Sequence, residues 1–138
     1  MRTLRTAAVI GALGLALSLS ATPASASSVL SGRCSKGAYQ LAASVTYGNA
    51  GGQHFFTKLT WNIIGDVGGN NDVYFEFWKN GSPDSLVKVF KMNNVSKRGS
   101  MNISLRRPSG DAIYVHGGAV FDTNRATDPV CKYFTRTI

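Results

Sequence analysis

A few side chains in this sequence have the types and the chain order needed for acid–base chemistry. Glu76 stands between Phe75 and Phe77, and a carboxylate that a strand shields from water suits a general base. His116 could protonate a leaving group, and an arginine could stabilise negative charge that develops during the reaction. The candidate catalytic residues are therefore Glu76, His116, Arg98, Arg106 and Arg107.

The order of glutamate, arginine and histidine resembles the catalytic set of the small secreted guanyl-specific microbial ribonucleases. Those enzymes can also carry a disulfide bond that joins the two ends of the chain. The resemblance implies an RNA-cleaving enzyme in which Glu76 is the base and His116 the acid. Those enzymes place a helix before the sheet, whereas no helical periodicity follows residue 26 here. The alternative is structural, with Glu76 facing solvent or paired with a lysine and His116 in a structural hydrogen bond.

Other reaction classes have little support in the sequence. There is no Gly-x-Ser-x-Gly motif, no phosphate-binding loop and no dinucleotide fingerprint. Two cysteines and two widely spaced histidines are a poor match to the four ligands of a zinc site. We therefore expect no metal and no cofactor, leave open whether the chain is an enzyme, and favour a non-enzymatic binding role.

The strongest feature of binding type is a basic segment. Residues 85–110 contain no acidic side chain but six cations, which are Lys88, Lys91, Lys97, Arg98, Arg106 and Arg107. Two neighbouring strands and their loop could present these as a positive face that binds anionic polymers or the cell envelope, with affinity that falls as salt rises. The alternative is a solvated cationic edge that discourages strand-to-strand aggregation.

A second binding role is inhibition of a secreted enzyme, such as a protease or an amylase. Small β domains tied by a disulfide can present one rigid loop to an enzyme, and the candidate loops here are residues 65–72 and 80–85. Neither loop contains a cysteine, so no disulfide of its own would hold it.

The elements that must position these residues are predicted to be β-strands. Apolar and polar residues alternate with a period of two, which is the pattern of half-buried strands. The alternating runs cover residues 39–47, 55–63, 73–78, 86–92, 101–106, 113–121 and 131–138. Glycine, asparagine, proline and aspartate separate the runs, as expected at turns. The sequence predicts an all-β antiparallel β-sandwich or partly closed barrel of about seven short strands, preceded by a loose serine-rich tail.

Two cysteines lie near the two ends of the predicted domain. Because disulfides persist in exported proteins, we expect Cys34 and Cys131 to pair. Closure of a loop of about 98 residues contributes about 4 to 5 kcal/mol to stability by loop entropy. The bridge would join the first strand to the last.

The start of the chain has the pattern of an export signal. Arg2 and Arg5 precede an apolar run at residues 7–19, and Ala24-Ser25-Ala26 forms a small-residue cleavage site. We expect residues 1–26 to be a cleaved signal peptide and residues 27–138 to form a single secreted, extracellular domain. No later segment is long and apolar enough to be a membrane span.

The whole chain resembles the small secreted proteins of actinomycete bacteria of the Streptomyces type, an uncharacterised family. The similarity lies in residues 24–26, 31–35 and 71–76, and in Cys131 followed by residues 135–138. It implies an extracellular location and a β fold, and it implies no activity and no site residues.

Overall fold

The structure is a computed structural model that describes residues 26–138. Nearly all of the predicted signal peptide, residues 1–25, therefore lies outside the described residues. Within the described part the chain forms eight strands and no helix. They are β1 (Ser28–Lys36), β2 (Tyr39–Ala50), β3 (Gln53–Ile64), β4 (Asn71–Lys79), β5 (Ser85–Val95), β6 (Arg98–Pro108), β7 (Ile113–Val120) and β8 (Val130–Phe134).

The strands form two four-stranded antiparallel sheets that pack as a sandwich. Sheet A has the order β1-β2-β3-β6, and sheet B has the order β5-β4-β7-β8. The chain turns between β2 and β3 at Gly51 and Gly52, whose φ angles of 57° and 72° suit a two-residue hairpin turn. The predicted antiparallel sandwich is confirmed.

The core lies between the inward faces of the two sheets. Every second residue of β4 points inward, as period-two alternation requires. In β3 a bulge at Thr57 and Lys58 interrupts the alternation, so the inward residues change from His54 and Phe56 to Leu59, Trp61 and Ile63. Phe56 of sheet A meets Phe77 of sheet B edge-on, with 4.9 Å between the ring centroids. Because both rings are fully buried, this contact joins the two sheets at the centre of the core.

The predicted disulfide is confirmed and closes one side of the sandwich. Cys34 of β1 and Cys131 of β8 are joined by an S–S bond of 2.04 Å, with 5.6 Å between their Cα atoms. β1 is an edge strand of sheet A and β8 an edge strand of sheet B. The bridge therefore links the edges of the two sheets as well as the two ends of the domain.

The expectation of a loose serine-rich tail is wrong. Ser28–Lys36 forms β1, which pairs with β2 at nine consecutive positions. Leu30 and Gly32 are its buried residues, so the alternation of apolar side chains is too sparse to reveal a strand. This adds an eighth strand to the seven expected.

None of the described residues belongs to a helix that is long and apolar enough to span a bilayer.

Candidate functional site

Glu76 and His116 meet on the outward face of sheet B. They lie directly opposite each other in the pairing of β4 with β7, so period-two alternation sends both side chains to the same face. The distance between His116 Nδ1 and Glu76 Oε2 is 2.8 Å. Both side chains are half-buried. The contact is a hydrogen bond with a neutral imidazole and an ion pair when the imidazole is protonated.

Aromatic rings hold this pair in place. Trp78 Nε1 donates to the same oxygen, Glu76 Oε2, at 3.1 Å. The imidazole of His116 stacks on Phe134 of β8, with 4.5 Å between the centroids and 16° between the planes. Tyr74 approaches His116 edge-on at 5.8 Å. Partial burial and then the charge of Glu76 raise the pKa of the Tyr74 hydroxyl, which therefore stays protonated and available as a hydrogen-bond donor.

The structure does not bring the three candidate arginines to the pair. Arg98, Arg106 and Arg107 all lie on β6, in sheet A, while Glu76 and His116 face outward from sheet B. A reaction that develops charge at phosphorus needs a cation beside the base and the acid. The ribonuclease arrangement inferred from the sequence is therefore present as a carboxylate–imidazole contact without its arginine.

Each of these arginines has a partner of its own in sheet A or the following turn. Arg98 Nε donates to Asn62 Oδ1 at 3.1 Å. Arg106 lies over the ring of Phe55, with Cζ 5.0 Å from the ring centroid. Arg107 donates twice to Asp111 Oδ2, at 3.0 and 2.5 Å.

Asp111 is the centre of a small charge cluster at the turn between β6 and β7. Its other oxygen, Oδ1, lies 2.7 Å from Lys79 Nζ. The hydrogen bond from Lys79, and after it the hydrogen bond and charge of Arg107, hold the pKa of the Asp111 carboxyl group below its usual value. Arg107 is therefore committed to a structural ion pair.

The basic segment divides between the two sheets. Lys88 and Lys91 are on β5 in sheet B. Lys97 is exposed in the turn between β5 and β6 and donates to the carbonyl of Gly65 at 2.8 Å. The three arginines are on β6 in sheet A. A run of cations in the sequence is thus not one continuous face, because the chain crosses from one sheet to the other after Val95.

Two arginines of the basic segment, Arg98 and Arg106, share the outward face of sheet A with two cations from outside that segment. The register places Arg33, Ala42, Asn62 and Arg98 in one row across all four strands. The neighbouring row consists of Ser31, Ser44, Thr60 and Ser100. We call this surface the cationic face, and its charged residues are Arg33, Lys58, Arg98 and Arg106. Arg33 and Lys58 were missed by sequence reasoning, since only strand register shows that they accompany Arg98.

The strands that form the cationic face contain no carboxylate. All seven Asp and Glu residues of the chain fall within the described residues, and none of them lies in β1, β2, β3 or β6. Ala42, small and central, adjoins two shallow depressions of about 330 and 250 Å³, which Arg33 and Asn62 also line. The surface thus offers cations and hydroxyl groups around shallow, open depressions.

The two loops considered for enzyme inhibition are held by their own hydrogen bonds. In residues 80–85, Asp84 accepts from the backbone of Gly81 at 2.9 Å and from the Tyr114 hydroxyl at 2.8 Å. In residues 65–72, Asp122 Oδ2 accepts from the backbone of Asn70 at 3.0 Å. Residues 80–85 are therefore anchored to β7 of sheet B, and residues 65–72 are anchored to the segment that follows β7.

Among residues 26–138, no three His, Cys, Asp or Glu side chains lie close enough together to hold a metal ion. Comparison of the chain with protein-family models, with curated proteins and with solved structures finds no match.

Proposed function

We propose that this chain is a secreted, non-enzymatic protein that binds an anionic polymer, such as a polymer of the cell envelope, through the cationic face of sheet A. The observation that carries the proposal is the separation of charge. Arg33, Lys58, Arg98 and Arg106 project from strands that contain no carboxylate, so no acidic side chain on those strands repels an anion.

The spacing of the cations suits an extended ligand. Arg33 and Arg98 stand at the two ends of one row, on the outer strands of sheet A. Three inter-strand spacings separate them, which is about 14 Å. A polymer that crosses the strands would meet one guanidinium group at each edge, with Asn62 between them as a neutral hydrogen-bonding group. Arginine presents several donors to phosphate, sulfate or carboxylate groups.

The cations are also available. Within residues 26–138, Arg33 and Lys58 take part in no ion pair, since the ion pairs there join Lys79 and Arg107 to Asp111 and His116 to Glu76. An arriving anion would therefore not have to displace a carboxylate from them. This distinguishes Arg33 and Lys58 from Arg107, which already has a carboxylate partner.

Secretion is part of the proposal and has separate support. The charged, apolar and small-residue pattern of residues 1–26 is that of a signal peptide. The Cys34–Cys131 disulfide suits an oxidising compartment. A protein outside the cell meets anionic envelope polymers directly, which agrees with the ligand class proposed for the cationic face.

The proposal is tested with immobilised heparin as the anionic polymer. We compare the salt concentration that elutes the domain of residues 27–138 with that of the double variant Arg33→Gln/Arg98→Gln. We expect the variant to elute at lower salt. The slope of log affinity against log salt should fall by about one for each cation removed, because each bound cation releases counterions.

The control variant is Lys88→Gln/Lys91→Gln, which removes the same charge from β5 in sheet B. It should elute close to the unchanged protein, and circular dichroism should show that both variants keep the β fold. Equal losses in the two double variants would mean that net charge alone governs retention, and the proposal for sheet A would then be wrong.

A further inference from the structure

The outward face of sheet B carries a continuous group of aromatic rings that the cationic face does not use. We call it the aromatic platform, and it consists of Tyr74, Trp78, Tyr114, His116 and Phe134. Trp78 lies directly opposite Tyr114 in the pairing of β4 with β7, and Tyr114 lies 6.3 Å from Phe134 between ring centroids. The platform therefore spans β4, β7 and β8 without a gap.

The rings of the platform are fixed before any ligand arrives. Trp78 is held by its hydrogen bond to Glu76, and Tyr114 by its hydrogen bond to Asp84. Phe134 is stacked on His116, which in turn contacts Glu76 and the edge of Tyr74. A surface with rings already oriented loses little conformational entropy on binding.

Part of the platform and of the strand beside it is apolar and open to solvent. Phe134 is 67 % exposed, and Leu86 and Val89 of the adjacent strand β5 are 50 % and 42 % exposed. In the pairing of β4 with β5, Leu86 lies opposite Trp78 and Val89 lies opposite Glu76. Contiguous apolar surface on a soluble domain marks a site of interaction.

Glu76 lies in the middle of the platform, and two lysines, Lys91 opposite Tyr74 and Lys132 opposite Gly118, lie on the same face of sheet B. Glu76 uses Oε2 for both of its protein contacts, and within residues 26–138 its other oxygen, Oε1, accepts no side-chain hydrogen bond. A suitable ligand therefore has flat apolar faces and also hydroxyl or amide donors around its rim. Pyranose rings have this combination, because their axial C–H groups face an aromatic ring while their hydroxyl groups point sideways. These C–H groups carry a partial positive charge, which the negative face of an aromatic ring attracts.

We propose that the aromatic platform binds an uncharged β-linked polysaccharide, whose pyranose rings stack on Trp78, Tyr114 and Phe134 while a hydroxyl group donates to Glu76. The inference is independent of the function proposed for the cationic face.

Charge argues against the two other occupants of this surface. A second copy of the chain, related by a two-fold axis through the platform, would bring the central Glu76 against its own counterpart. Two carboxylates that face each other away from water repel. An anionic polymer would meet Glu76 as well as the cations Lys91 and Lys132, whereas the strands of sheet A offer it cations without a carboxylate. An uncharged ligand avoids both penalties.

The test uses cellulose and chitin powders at high salt, where binding through the cationic face is screened. We expect the domain of residues 27–138 to be retained on at least one powder and to bind the matching hexasaccharide in solution. Phe134→Ala should weaken binding by roughly fivefold or more, at the lower end of stacking contributions of single aromatic side chains. Because Phe134 is mostly exposed, the melting temperature of the Phe134→Ala variant should stay near that of the unchanged protein.

The matched control is Phe55→Ala, which removes a ring of the same kind from the outward face of sheet A and should leave binding unchanged. Trp78 should report the ligand by fluorescence, and Trp61→Phe should keep that signal because Trp61 is buried in the core. The inference is overturned if neither powder retains the protein, or if Phe134→Ala and Phe55→Ala bind equally. Concentration-dependent dimers that Phe134→Ala disperses would also overturn it, in favour of a second copy.

Discussion

At the scale of single residues, strand register turns a weak sequence pattern into a defined contact. Glu76 and His116 are 40 positions apart in the sequence, yet they face each other across β4 and β7 at 2.8 Å. The carboxylate also accepts from Trp78, so Glu76 acts as a fixed acceptor among rings. The arginines needed for the ribonuclease arrangement project from the opposite sheet. The same pair of residues therefore serves a binding platform better than it serves phosphoryl chemistry.

Asp111 makes the stability of the domain depend on pH. Its pKa is lowered chiefly by the hydrogen bond from Lys79 and then by Arg107. A carboxyl group whose pKa is lower in the folded state than in the unfolded state contributes stability that is fully present above the unfolded value, about 3.9. That contribution is lost as pH falls through the lower folded value. We expect Asp111→Asn to be less stable than the unchanged protein at neutral pH.

The measurement is the denaturant midpoint of both proteins over a range of pH. The difference between them should be constant above pH of about 4 and should shrink below it, as the carboxyl group of the unchanged protein becomes protonated. Asp66→Asn is the control, since Asp66 is an exposed loop residue that takes part in no ion pair within residues 26–138. A difference that stays the same down to strongly acidic pH would contradict this account of Asp111.

At the scale of elements, the two edge strands β1 and β8 fit together through one glycine. A Cβ atom on Gly32 would overlap the ring of Tyr133, which is buried. The ring of Tyr133 thus lies directly over the backbone of β1, beside the Cys34–Cys131 bridge. Burial raises the pKa of the Tyr133 hydroxyl far above its usual value, so this ring stays neutral at any physiological pH.

Gly32→Ala should therefore destabilise the domain by about 1 to 3 kcal/mol, because the added methyl group must displace a packed ring or the strand itself. Urea unfolding followed by fluorescence measures the change. Gly69→Ala is the control, since a Cβ there meets no atom within 4 Å. A free energy of unfolding for Gly32→Ala equal to that of the control would show that β1 and β8 are not in close contact.

At the scale of the whole molecule, the disulfide closes almost the entire domain into one loop. It joins residues 97 positions apart and links the edges of the two sheets. In the unfolded chain such a crosslink removes a large part of the available conformations. The domain is small, so this covalent constraint is a substantial share of a net stability of about 5 to 15 kcal/mol.

Cys34→Ser/Cys131→Ser should lower the free energy of unfolding by about 4 to 5 kcal/mol, from the entropy of loop closure. Guanidinium unfolding of the oxidised protein, the reduced protein and the double variant measures it. Reduced and variant proteins should unfold at the same lower midpoint. If the oxidised and reduced proteins unfolded together, the bridge would contribute nothing to folding stability.

Several features of this protein could be read from its sequence. Period-two alternation in the runs that became β2, β3, β4 and β7 predicted strands, because one face of each is buried against the other sheet. The two cysteines predicted the bridge, since the chain offers no other partner for either. These predictions rest on local pattern and on residue counts, both of which are visible along the chain.

Only the tertiary structure decided which side chains share a surface. β1 carries few apolar residues, so its nine pairs with β2 could not be foreseen. For the same reason the sequence did not reveal that Arg33 and Arg98 lie at the two ends of one row across sheet A. The run of cations from Lys88 to Arg107 looked continuous, but the chain changes sheets after β5 and divides it. Local periodicity predicts strands and their buried faces, but the order of strands in a sheet and the exact pairs across it depend on contacts between residues distant in sequence.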